Sequence, residues 1–139
     1  MLGISDYDEL LALWRRAGLH SLKPQGRDSR EAFARQLASG AQTVLGLKKG
    51  DLIGAVVVTH DSRKGWINRL VVDPDHRREG HAARLITAAE RMLRAEGISV
   101  IAALVEDGNG ASLALFQKMG YVDAGESIHY LSKRESGDA

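Results

Sequence analysis

The residues best suited to chemistry cluster in one stretch, Leu70 to Ala89, which reads LVVDPDHRREGHAARLITAA. Arg77, Arg78, Gly80, His81 and Ala82 set two guanidinium groups beside small side chains just where a helix is expected to begin. The unpaired N–H groups of a first helical turn and the positive end of its dipole make such a place an anion site. Gly80 allows close approach and positive φ, Ala82 adds little bulk, and the arginines supply charge-assisted bonds to phosphate oxygens. Other phosphate loops do not fit. No lysine follows Gly80 as G-x-x-x-x-G-K-[ST] requires, and there is no G-x-G-x-x-G with an acidic residue about 20 positions on. The chain has no cysteine, hence no thiol nucleophile, disulfide or cysteine metal cluster. Its five histidines show no H-E-x-x-H or similar spacing, so no metal is expected, and no G-x-S-x-G elbow offers a serine nucleophile.

These residues need a strand before them and a helix after them. Leu70-Val71-Val72 is the strand end, stopped at Asp73-Pro74-Asp75 because Pro74 lacks an N–H and biases its predecessor toward extended geometry. Ala82, Leu85, Ile86, Ala89 and Leu93 fall on one helical face, and Gly97 closes that helix. Upstream, a helix is predicted from about Asp6 to Ala17, with Ser5 or Asp6 as N-cap, Glu9 in a capping box with Asp6, and Gly18 as its stop. A Pro24- and Gly26-containing loop, Leu19 to Asp28, leads to a second helix from about Ser29 to Ala38. Thr43–Leu47, Ile53–Thr59 and Trp66–Val72 form an antiparallel meander, the first two strands joined by a turn at Lys48 to Asp51. Ile67 and Leu70 are three apart, whereas a strand face repeats every two residues, so a β-bulge is predicted near Asn68 or Arg69. Ser99 to Val105 is an apolar strand reached through a helix, hence a parallel neighbour by right-handed crossover. A last helix, Asn109 to Met119, is followed by a closing hairpin of Tyr121–Val122 and Ile128–Lys133, and Glu135 to Ala139 reads as a frayed tail.

Two patterns in this frame resemble the signatures of the GNAT superfamily of N-acetyltransferases. Leu70 to Ala82 reads L-x-V-x-P-x-x-R-x-x-G-x-A, similar to that family's acetyl-CoA-binding signature. Asn109 to Tyr121 reads N-x-x-S-x-x-x-F-x-x-x-G-Y, similar to its second common pattern, N-x-x-A-x-x-x-Y-x-x-x-G-F. The resemblance implies an α/β fold: a mixed central sheet of about six strands, an antiparallel N-terminal meander, a splayed parallel pair in the middle and helices on both faces. It implies acetyl-CoA as co-substrate and direct transfer of its acetyl group to a primary amine in a ternary complex. Leu70, Val71 and Val72 would pair with the pantetheine arm, and an N–H of Leu70 or Val71 would hold the oxyanion. Arg77, Arg78, Gly80, His81 and Ala82 would hold the pyrophosphate, while Asn109 would contact the pantetheine besides capping its helix.

Phe116 departs from the pattern: it stands where the family usually has a tyrosine that protonates the departing thiolate, and it lines the cofactor site without a hydroxyl. A positioned general acid contributes about 10² to 10⁴ in rate, so its loss modifies a site without abolishing it. Tyr121 or Tyr130 could substitute through a water. Glu106 is the first choice for the base, directly after the apolar strand where the parallel pair splays; His60, Asp107 and His129 are weaker choices. Acetyltransferases of this superfamily usually begin with a full strand, and here only Leu2-Gly3-Ile4 precedes the first helix, so either that strand is very short or the start is trimmed. The loop Leu19 to Asp28 commonly borders the acceptor pocket, so His20, Lys23 and Arg27 could meet an anionic acceptor.

Composition agrees with one domain over residues 1–139: 44% hydrophobic residues suffice for a core, and 19 basic against 18 acidic residues create no global field for nucleic acid or a membrane surface. No charged-then-apolar leader and no run of about 18 apolar residues is present, which predicts a cytoplasmic protein; the resemblance implies a monomer or homodimer. Two alternatives are a non-catalytic acyl-CoA-binding module and a protein-interaction domain with an exposed strand edge.

Overall fold

The computed structural model describes residues 1–105, 109–123, 125 and 128–139. A 3₁₀ turn, Ile4–Asp6, leads into helix α1 (Tyr7–Arg16), then α2 (Arg30–Ala38), strands β1 (Gln42–Lys49), β2 (Asp51–His60) and β3 (Gly65–Val72), and a 3₁₀ turn at Pro74–His76. Helix α3 (His81–Ala95), strand β4 (Ile101–Ala103) and helix α4 (Gly110–Lys118) follow. The strands lie in the order β1-β2-β3-β4, with β1, β2 and β3 antiparallel and β4 parallel to β3.

The sheet is covered on both faces, which its central strand records in sequence. In β2 every residue from Leu52 to Val58 is buried, the continuous apolar run of a strand with no solvent face. Ala55 and Val57 join Leu10, Leu13 and Trp14 of α1 and Phe33 of α2 on one side. Val56 and Val58 join Leu85, Ile86, Ala89 and Leu93 of α3 and Phe116 of α4 on the other. Each large side chain buried this way contributes about 1.5–3 kcal/mol.

The predicted bulge is present. Val57 pairs with Asn68 but Ala55 pairs with Val71, so two steps along β2 match three along β3, and Arg69 takes the extra position at φ +48°. The bulge lets Ile67 and Leu70 share the α3 side of the sheet. The predicted helix start also holds, with Gly80 as the N-cap of α3 at φ +81°.

Four expectations are corrected. The sheet has four strands among the described residues, not about six. The strand expected over Ser99 to Val105 shortens to Ile101–Ala103, because β3 pairs with it only from Gly65 to Ile67. The described residues of the closing hairpin form no strand, and Val122, Ile128, Tyr130 and Leu131 are exposed. Strand propensity expresses a fit to neighbouring strands, and three-residue β4 offers little ladder to join. The chain end lies instead against Gly26, with the Asp138 carbonyl in the place a Cβ there would take. Finally, Glu9 forms no capping box with Asp6: its carboxylate accepts the Leu52 N–H at 2.6 Å, while Asp6 accepts from the Gly3 N–H at 2.9 Å and pairs with Lys48. Before α1, a single bond from the Leu2 N–H to the Val44 carbonyl at 2.8 Å stands in place of a first strand.

Candidate active site

Three local features meet where β3 ends. The first is a divergence of strands. Pairing of β3 with β4 covers Gly65–Ile67 against Ile101–Ala103 and stops there, while β3 runs on to Val72. Leu70, Val71 and Val72 therefore lie beyond the paired segment, with their other edge held by β2 through Ala55 and Gly54.

The second feature is the bulge residue itself. Arg69 forms a bidentate ion pair with Asp28, Nη1 to Oδ1 at 2.6 Å and Nη2 to Oδ2 at 3.0 Å, and its guanidinium carbon lies 5.0 Å from the centre of the Trp14 ring. Asp28 is 7% exposed; its Oδ2 also accepts the Lys23 N–H at 2.8 Å, and its carbonyl accepts the Tyr7 hydroxyl at 2.6 Å. The loop from Leu19 to Asp28 is thus tied to the bulge from the α1 side of the sheet. The expectation of an acceptor-bordering loop rested on His20, Lys23 and Arg27; the ion-pair partner of Asp28 lies 41 positions away and carries no local signal.

The third feature is the turn from Val72 to Ala82. The Asp73 carboxylate accepts the Asp75 N–H at 2.9 Å and pairs with Arg16 at 3.1 Å. The Asp75 N–H, with Arg16 beside it, holds the Asp73 carboxyl below its ordinary range. Arg78 at φ +66° and Gly80 at φ +81° give the loop two left-handed residues directly before the helix. Helix α3 then begins with no side-chain cap and no acidic residue in its first turn. A Cβ on Gly80 would meet nothing within 4 Å, so the space over the loop is open. Arg78 is exposed, and Arg77 turns back so that its Nε donates to the Val72 carbonyl at 3.4 Å, linking the loop to the strand end.

The remaining predicted residues are distributed as follows. Asn109 caps α4, its Oδ1 accepting the Ser112 N–H at 3.3 Å. Phe116 is buried in the same cluster that Leu70 packs against, and its ring meets Tyr121 edge-on with centroids 5.0 Å apart. The Tyr121 hydroxyl donates to Glu90 at 2.7 Å, and burial, reinforced by that carboxylate, pushes its ionisation well above the ordinary phenol range. It is therefore a committed donor to α3, and Tyr130 is exposed on the chain end. Glu106 and Asp107 lie outside the described residues. His60 pairs with Glu96 and sits opposite Gly65, at the other end of the sheet from Leu70, and His129 is exposed. In the loop Leu19 to Asp28, His20 and Arg27 are exposed, with Arg27 donating to the Ser21 carbonyl at 3.0 Å.

One grouping was missed by the sequence reading. His76, Glu79 and His81 bring their ligand-type atoms within 4.8 Å of one another on the same turn. Their spacing, H-x-x-E-x-H, is the signal that could have found them.

Comparison with known proteins agrees with this geometry. The family model described as the acetyltransferase (GNAT) family matches residues 7–121. An acetyltransferase of Sodalis glossinidius is 30% identical over 130 residues, covering 93% of this chain and 89% of that protein, and one of Photorhabdus laumondii matches to the same extent. Among solved structures, the PaiA N-acetyltransferase of Thermoplasma acidophilum in complex with coenzyme A superposes with a TM-score of 0.73 at 21% identity, covering 86% of this chain and 85% of that one. AAC(6')-Iy in complex with a CoA-based bisubstrate analogue superposes with a TM-score of 0.78 at 17% identity, covering 96% and 95%. With a diverging parallel pair, a bulged β3 and an open N-terminus on α3, this chain belongs to the GNAT family of acetyltransferases.

Proposed function

We propose that the protein transfers an acetyl group from acetyl-CoA to a primary amine by direct attack in a ternary complex. The observation that carries this reading is the end of β3–β4 pairing at Ile67–Ala103, directly before the bulge at Arg69. It leaves a backbone edge beside an open helix N-terminus, which suits a long ligand with an amide-bearing arm at one end and a diphosphate at the other. The residues present fit acetyl-CoA: the edge Leu70 to Val72 can pair with the pantetheine amides, and the N–H groups from Arg78 to Ala82 can receive the diphosphate.

Acetyl-CoA supplies the activated acyl group, and the chain supplies binding, orientation and charge stabilisation. An N–H near Leu70 or Val71 donates to the carbonyl oxygen as negative charge builds on it, a role in which one donor is worth about 10² to 10³ in rate. Arg77 and Arg78 offset the phosphate charge, and Asn109 adds a polar contact from α4. Glu106 takes the amine proton. The loop Leu19 to Asp28, fastened to Arg69, forms the acceptor side.

A specific observation favours a second reading, a non-catalytic acyl-CoA-binding module. The position of the usual thiolate-protonating tyrosine holds Phe116, and the neighbouring Tyr121 hydroxyl is held by Glu90. Release of free CoA thiol over a broad panel of amines separates the two: turnover with any amine supports the transferase, while tight acetyl-CoA binding with no thiol release supports the module. A folded protein that shows no thermal shift with millimolar acetyl-CoA overturns both.

A further inference from the structure

We propose that His76, Glu79 and His81 form a binding site for one transition-metal dication of the zinc class, with two imidazole nitrogens and one carboxylate oxygen as protein ligands. The local fold brings them together over six residues. His76 ends the 3₁₀ turn that Pro74 begins, Glu79 sits between the left-handed residues Arg78 and Gly80, and His81 opens α3.

Distances support a shared ligand sphere. Glu79 Oε1 lies 3.2 Å from His76 Nδ1 and 3.5 Å from His81 Nε2. Ligands about 2.0–2.1 Å from a tetrahedral zinc ion stand about 3.3 Å from one another, so two edges of the tetrahedron already have their length. The third, between the histidines, is bounded by the 4.8 Å span of the whole group, longer than a tetrahedral edge, so one ring must turn toward the ion for it to seat. Lys49 approaches the other carboxylate oxygen, Oε2, at 3.7 Å, leaving Oε1 to the histidines.

An independent observation comes from His81. It is 8% exposed, and neither of its ring nitrogens has a hydrogen-bond partner. Buried polar side chains are ordinarily satisfied, and a buried imidazole with two idle nitrogens beside a histidine and a carboxylate is what a metal ligand looks like without its ion. The donor set selects the ion class. Two imidazoles and one carboxylate suit zinc, cobalt, nickel or copper, whereas magnesium and calcium require oxygen ligands throughout. Three protein ligands leave a fourth position open to water or an anion. The assignment stands on this geometry and not on the acetyl-CoA reading, although both use the same turn.

The test is titration of the untagged, chelator-treated protein with ZnCl₂ against a chromophoric zinc indicator, together with the visible spectrum of the CoCl₂-loaded protein. One equivalent of tightly bound zinc and an intense four-coordinate cobalt spectrum are expected. Glu79→Gln, an exposed change that leaves folding intact, should weaken zinc binding at least about tenfold, as should His81→Leu in protein shown by circular dichroism to be folded. His20→Ala should leave the zinc affinity and the cobalt spectrum unchanged. No stoichiometric binding at micromolar zinc, or binding that survives both Glu79→Gln and His81→Leu, overturns the assignment. Acetyl-CoA titrated calorimetrically in the absence of metal reports on the other site separately, so either proposal can fail while the other stands.

Discussion

Arg69 and Asp28 close a two-point ion pair, at 2.6 and 3.0 Å, that joins the bulge of β3 to the loop leading into α2. The pair fixes two things at once. It holds a residue with positive φ in the strand that the acyl group is proposed to approach, and it anchors the segment proposed to face the acceptor. Asp28 is almost wholly buried, so neither partner can be removed without leaving the other exposed to a desolvation penalty.

Arg69→Ala should therefore destabilise the fold by about 3–5 kcal/mol, the loss typical of stranding one member of a buried pair. Arg69→Ala combined with Asp28→Asn should cost less than the two single losses together. Urea unfolding of the single and double variants measures it. Losses that simply add would show that the two side chains are not coupled.

Ala82→Trp should abolish acetyl-CoA binding by filling the open space over the first turn of α3 while leaving the fold intact. The wild-type protein at a ligand concentration 100-fold above its dissociation constant gains about 2.7 kcal/mol, read as a rise in melting temperature. The variant should show no rise. A preserved shift would place the ligand elsewhere.

Tyr121→Phe separates a structural hydroxyl from a catalytic one. Loss of the bond to Glu90 should reduce stability by about 1.5–3 kcal/mol, the range for hydrogen bonds to charged groups. Thiol release at neutral pH should stay within about threefold of wild type, because a general acid would be worth about 10² or more. The folded phenol ionises above its unfolded value of 10.0, so its stabilisation is complete below pH 10 and is lost as pH rises beyond it. Wild-type stability should fall more steeply above pH 10 than that of Tyr121→Phe.

Asp73→Asn tests the turn that leads into the loop proposed to hold the diphosphate. The Asp73 carboxyl ionises below its ordinary value of 3.8 in the fold, chiefly through the Asp75 N–H and secondarily through Arg16. Its contribution is present above pH 3.8 and lost as pH falls through the lowered folded value. Melting temperatures of wild type and variant should differ most near neutrality and draw together as pH falls below 3.8. A constant difference across that range would remove ionisation from the explanation.

Much of the site was readable in the chain because it depends on local rules. Pro74 stops a strand and Gly80 caps a helix wherever they occur in such a context, and the odd spacing of Ile67 and Leu70 required a bulge on either side of any particular neighbour. The same local rules misread the chain after α4. Ile128 to Leu131 carry the residues of a strand, yet a strand exists only with a partner, and the three-residue length of β4 is set by its contact with β3.

The sequence by itself determined the order of elements through α3, the place of the turn proposed to bind the diphosphate and the family pattern that runs through it. Tertiary structure alone decided that Arg69 answers Asp28, that Tyr121 is spent on Glu90, and that His76, Glu79 and His81 converge. The division has a physical reason. Backbone geometry follows from a residue and its immediate neighbours, whereas the partner of a buried polar group is whichever group the packed chain brings within hydrogen-bond distance.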